Sequence, residues 1–133
     1  MMRNDLVDLN PGKAMAQAAH AANQFISSLK PPAPSWTGAN SLEGWLETWT
    51  NQAKGFGTTI VLTASKSQIE HIIPLGASEG YACDFVFDPT YPIKSAEGEI
   101  FTVNAMTCAY VFVAPYTDDY ETEIQLRKLS LHR

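Results

Sequence analysis

Three apolar runs constrain the fold more than anything else in the chain: TTIVLTA (Thr58 to Ala64), YACDFVF (Tyr81 to Phe87) and TCAYVFVAP, which opens at Thr107 and closes at Pro115. Each is rich in β-branched or aromatic residues and nearly continuous in apolar character. That is the pattern of a strand covered on both faces. Helical patterns alternate with these runs, so the expected fold is α/β: a three-layer domain with a small mixed, mostly parallel sheet covered by helices. The 133 residues suffice for one real core and are short for two, which predicts a single domain over residues 1–133. No internal repeat is visible.

The first helical pattern is NPGKAMAQAAHAAN, from Asn10 to Asn23, continuing to about Leu29. Alanine is the best helix former, Asn10 can cap, and Pro11 suits the first helical position. KPPAPSWTGAN follows and is a loop, because proline removes donors and breaks helices. A second helix is expected from the capping-box spacing of Asn40 and Glu43 and from Leu42, Trp45, Leu46 and Trp49 at i, i+3, i+4 and i+7, ended by Gly55 and Gly57. Ser65 and Gln68 box a third helix, SQIEHIIPLGASEG, with Pro74 and Gly76 as its stop. Asp88-Pro89 is expected to stop the second strand. Asp118 and Glu121 box a last helix, DDYETEIQLRKL.

Composition narrows the function. Hydrophobic residues are 45% and charged residues 17% of the chain, a globular balance. The net charge of −5 argues against non-specific nucleic-acid binding through bulk charge. No apolar run approaches the ~20 residues that span a bilayer. The opening MMRNDLVDL lacks a basic region followed by an apolar one, so neither a membrane partner nor a signal peptide is expected, and a cytoplasmic location is. Cys83 and Cys108 sit in strand-like runs without metal-binding spacing and are expected as buried free thiols; no metal or cofactor is expected.

Lys13, Gln17 and His20 are spaced by four and then three, which places them on one stripe of the first helix among methyl groups. Lys13 lies in the first turn, where free amides and the helix dipole already favour an anion. Alone it reads as a solvated lysine. Asp88 follows a buried strand, at the end of which α/β folds place their sites, or is simply a turn-former before proline. His20 is either a site residue or a buried histidine satisfied by one hydrogen bond. His71 has no polar companions in sequence and reads as a surface or packing residue. The aromatic stripe of the second helix reads as packing; Trp45 and Trp49 also offer a self-association surface, which would make the protein a homodimer.

The segments R-N-D-L and P-G-K-A-M-A-Q-A-A-H-A resemble the opening of the archaeal and eukaryotic-type peptidyl-tRNA hydrolases, which carry a basic residue, D-L, a short spacer and G-K-x-x-x-Q-x-x-H-A. Arg3, Asp5, Leu6, Gly12, Lys13, Gln17, His20 and Ala21 fit without a gap. The later order of helix, strand, helix, strand ending in Asp88, and strand entered through Thr107 is also similar, and FDPTYPI…TCAYVF resembles short phage-encoded relatives. The resemblance differs in four places, one of them an Asp88 to Thr107 segment longer than the family's. Only Met1 and Met2 precede the R-N-D-L segment, where the family has a strand. The family's D-A-G-x-T-Q-I appears as DPTYPI. The helix with two tryptophans looks inserted.

The resemblance implies an enzyme that hydrolyses the ester of peptidyl-tRNA and releases free tRNA, with tRNA as its partner. It implies Lys13, His20, Asp88 and Thr107 as catalytic residues, and Arg3, Gly12, Gln17 and Thr90 as substrate-binding residues. An ester needs an activated water and a donor for the oxyanion. His20 and Asp88 could exchange the role of base. The rival expectation is a non-catalytic member of the same scaffold, holding a nucleotide or a host protein.

Overall fold

The computed structural model describes residues 1–28, 42–55, 57–114 and 120–132. Its elements in chain order are β1 (Met2–Arg3), α1 (Pro11–Ser28), α2 (Leu42–Asn51) with a short 3-10 turn (Gln52–Gly55), β2 (Thr63–Ala64), α3 (Lys66–Ser78), β3 (Ala82–Lys94), β4 (Ile100–Phe112) and α4 (Glu121–Arg127). The strands form one sheet in the order β2-β1-β4-β3. It is an α/β fold, and the sheet is mixed and partly parallel. The parallel share is smaller than expected: β1–β2 is parallel, whereas β1–β4 and β3–β4 are antiparallel. The reason is that the last two strands join through a tight turn at 95–99, where Gly98 supplies a φ of 92° and Ser95 and Glu99 close the backbone. A hairpin leaves no room for the crossover that parallel strands need.

Helices cover both faces. Ala14 of α1 packs on Met2, Val86 and Cys108 on one side. Ile69 and Ile73 of α3 pack with Ala64, Met106 and Ala109 on the other. A third aromatic cluster fastens α2: Phe25 stacks on Phe112 with centroids 5.1 Å apart, and Trp49 meets both rings edge-on. Trp49 is thus half-buried against these rings, and its indole N–H donates to Thr58 O at 2.7 Å.

Several element ends differ from the sequence expectation. TTIVLTA yields only a two-residue strand, because its ladder partner β1 is two residues long; Ile60 is 65% exposed. The backbone of 61–63 instead pairs partly with the C-terminal tail, through Thr63 N to Ser130 O and His132 N to Val61 O. Helix α3 runs through Pro74 to Ser78. Proline forfeits one helical hydrogen bond, and the buried face of Ile69, Ile72, Ile73 and Gly76 holds the rest in place. Gly76 eases that approach: a Cβ there would stand 3.3 Å from Cys83 Sγ, tighter than an ordinary contact.

Strand β3 does not stop at Asp88-Pro89 but continues to Lys94, and β4 begins at Ile100 rather than at Thr107. Being an edge strand, β3 tolerates Pro89 and Pro92, and a bulge between Asp88 and Tyr91 absorbs the irregularity.

The capping residues Asn40 and Asp118, and Pro115, lie outside the described residues. Helix α4 receives a cap from elsewhere, because the Glu79 carboxylate accepts from the amides of Glu121 and Thr122. The expected box at α3 is formed in full: Ser65 Oγ accepts from Gln68 N, and Gln68 Oε1 accepts from Ser65 N. A Ser65→Ala variant is expected to lose about 1 kcal/mol of stability, read as a lower urea midpoint with unchanged slope.

Candidate functional site

Helix α1 starts as its sequence suggests, with Asn10 Oδ1 accepting from Lys13 N at 3.0 Å. From there one polar stripe runs along β3 in the opposite direction to the strand. Lys13 Nζ donates to Pro92 O at 2.7 Å. Gln17 Nε2 donates to Asp88 Oδ2 at 2.7 Å. Further along, Gln24 Nε2 donates to Phe85 O at 2.8 Å. Gln24 was not among the expected residues, although its place four positions after His20 continues the same helical stripe.

The centre of the cluster is Asp88, which is 5% exposed and lies under a thin cover rather than deep in the core. Thr90 donates to Asp88 Oδ1 twice, from its amide at 2.9 Å and its hydroxyl at 3.0 Å. Burial pushes the Asp88 carboxyl upward, but the donors from Gln17 and Thr90 and the nearby charge of His20 outweigh it and hold the group below the ordinary value of 3.8. The bulge after Asp88 makes this turn back onto its own carboxylate feasible.

Thr107 is fully buried on β4 and donates to Gln17 Oε1 at 2.6 Å. This bond sets the amide so that its NH2 faces Asp88. Thr107, Gln17 and Asp88 thus form one buried chain across α1, β4 and β3. His20 is exposed one turn further along α1, within electrostatic reach of Asp88. The Lys13 ammonium lies 5.0 Å from the centroid of the fully buried Tyr91 ring. Gly12 is exposed in the first turn, close to Asn10.

Arg3 is held elsewhere. Its guanidinium bonds Asp5 at 2.9 Å and Met106 O at 2.9 Å, and it lines a groove of about 430 Å³ with Lys66, Glu70, Phe85 and Phe87. Asp5 also accepts from Lys66 N at the start of α3, so Arg3 and Asp5 lock β1 to that helix. Lys13, Gln17, His20, Asp88, Thr90 and Thr107 are brought together; Arg3 makes its hydrogen bonds outside that group, within electrostatic reach of Tyr91.

Both cysteines are free, and burial raises the thiol of each. Cys83 Sγ and Cys108 Sγ each face a backbone carbonyl, of Ile73 and Gln17. His71 is exposed. Among the described residues no group of three or more His, Cys, Asp or Glu side chains could hold a metal, and no helix is long and apolar enough to cross a membrane.

Because the folded Asp88 titrates below its unfolded value, its stabilising contribution is present above about pH 4 and disappears as pH falls through the lowered value. An Asp88→Asn variant is expected to be less stable than the parent at pH 7. The gap should begin to narrow below about pH 4, measured by urea unfolding across a pH series.

A search of curated proteins finds no match to this chain. The family described as peptidyl-tRNA hydrolase PTH2 does match, over residues 1–124, a span that takes in β1, the whole polar stripe of α1, Asp88 and Thr107. The chain is a member of the peptidyl-tRNA hydrolase PTH2 family.

Proposed function

We propose that this chain is an active peptidyl-tRNA hydrolase that cleaves the ester between the peptide and the terminal ribose of tRNA. Family membership supports the reaction class. The observation that carries the reading for this chain is the gathering of Lys13, Gln17, His20 and Asp88 along one helix–strand seam.

The hydrogen bonds suggest a division of labour. Asp88 accepts three donors and is held anionic, which makes it a weak proton acceptor and a good fixed charge. In this mechanism exposed His20 takes the proton from the attacking water, and Asp88 stabilises the imidazolium that forms. Lys13, with the Gly12 amide beside it, neutralises the anionic oxygen, whether on the tetrahedral intermediate or on the terminal phosphate. Thr90, Gln17 and Thr107 hold the carboxylate in place. Thr107 is fully buried, so it serves the reaction through Gln17 and does not touch substrate.

The decisive measurement is release of free tRNA from an N-blocked aminoacyl-tRNA. Turnover is expected, and Lys13→Ala, His20→Ala and Asp88→Ala variants should each lose roughly 10²–10³ in kcat while keeping the native circular dichroism spectrum. Stoichiometric binding of the tRNA without product would favour the non-catalytic reading, and normal rates in the Lys13 or Asp88 variant would end the mechanism.

A further inference from the structure

Tyr91 is the largest fully buried side chain among the described residues, yet it lies on an edge strand between two prolines, at the bulge that follows Asp88. Its ring faces the Lys13 ammonium at 5.0 Å from the centroid. Its hydroxyl donates to Val7 O at 2.9 Å, in the segment that joins β1 to α1. The next residue, Pro92, provides the carbonyl that Lys13 Nζ bonds at 2.7 Å. Two residues on, Lys94 N donates to Asp8 Oδ2 at 2.7 Å. Residues 88 to 94 therefore fasten the carboxylate, the ammonium and the β1–α1 connection in a single stretch of strand.

We infer that Tyr91 is a positioning residue for Lys13: its ring and the Pro92 carbonyl fix the ammonium from two sides, leaving a further N–H for one anionic oxygen of the ligand. This inference rests on the hydrolase reading for the identity of that ligand, but not for the hold on Lys13. A lysine tail has several freely rotating bonds, and an ammonium used for recognition loses precision unless something restrains it. A face of an aromatic ring attracts a cation, and a carbonyl oxygen takes one of its three N–H groups. Burial pushes the Tyr91 phenol up, Asp8 and Asp88 add to the effect and Arg3 only partly opposes it, so the ring stays neutral and its hydroxyl stays a donor. An aromatic residue between prolines carries no recognisable spacing, so Tyr91 does not stand out in the sequence.

The anionic oxygen has two sources, and the kinetics separate them. A terminal phosphate bound before the reaction makes the loss of positioning a KM effect; an oxyanion formed during it makes the loss a kcat effect. The test uses Tyr91→Phe, which keeps the ring, and Tyr91→Leu, which removes it, with proton–carbon correlation NMR of the Lys13 side chain as a readout independent of turnover. In the unsubstituted protein the Lys13 side-chain protons should lie upfield of those of other lysines, through the ring current. Tyr91→Phe should keep that displacement and remain within about twofold of the parent kcat/KM, whereas Tyr91→Leu should lose it and fall about tenfold.

Absence of the displacement in the parent protein overturns the inference, and so does a Tyr91→Phe variant as impaired as Tyr91→Leu, since that result assigns the effect to the hydroxyl and the Val7 tie. If Tyr91→Leu fails to fold, the parent spectrum and the Tyr91→Phe variant still decide. A displaced Lys13 in a protein that releases no tRNA would support the hold on the ammonium and sink only the hydrolase reading.

Discussion

The side-chain amide of Gln17 stands between a hydroxyl on one strand and a carboxylate on the next, and much of the site depends on it. Its oxygen accepts from Thr107 and its nitrogen donates to Asp88, so an amide that could face either way has a single satisfying orientation. Gln17 is 3% exposed and Thr107 is fully buried. Removing either partner would leave a buried polar group without its bond, a larger penalty than the bond's modest net value. The chain of three residues ties α1 to the β3–β4 hairpin and aims a negative charge toward the exposed end of the helix stripe.

That geometry also explains the spacing in the alanine-rich helix. A helix advances ~1.5 Å per residue, while a strand advances ~3.3 Å. Lys13 and Gln17 are four residues apart on α1, and their partners Pro92 and Asp88 are four apart on β3. The two would not match on a regular strand. The bulge between Asp88 and Tyr91 shortens the strand's reach, and the length of the lysine stem takes up the remainder. Alanines between the polar residues let α1 lie close to Met2, Val86 and Cys108, so that side chains as short as Gln and Asp can meet.

The helix-borne half of the site is legible in the sequence because helix geometry makes residues three and four apart neighbours. Spacing alone puts Lys13, Gln17 and His20 on one face and marks Asn10 as the cap. The strand-borne half is less so. Asp88 stands at the end of an apolar run, but the strand does not end there. Pro89 and Pro92 signal a break in a central strand, and only the sheet order makes this one an edge. The same dependence on neighbours hides the shortness of β2: its residues favour a strand, yet a ladder extends only as far as its partner does. Arg3 fits the opening pattern as well as Lys13 does, but Asp5 and Met106 O claim its guanidinium. Spacing along a chain identifies which groups share a face; it does not tell which of them a closer partner has already taken.

The two prolines of β3 carry a consequence for how this protein behaves in a crowded solution. An outer strand with free amides invites another chain to zip onto it, and long unprotected borders of this kind seed aggregates. Pro89 and Pro92 have no N–H to offer, and the Pro92 carbonyl is already bonded to an ammonium. The stretch that carries the chemistry is thereby a poor template for intermolecular β-pairing, so the border most exposed to strangers is guarded by the residues that shape the site.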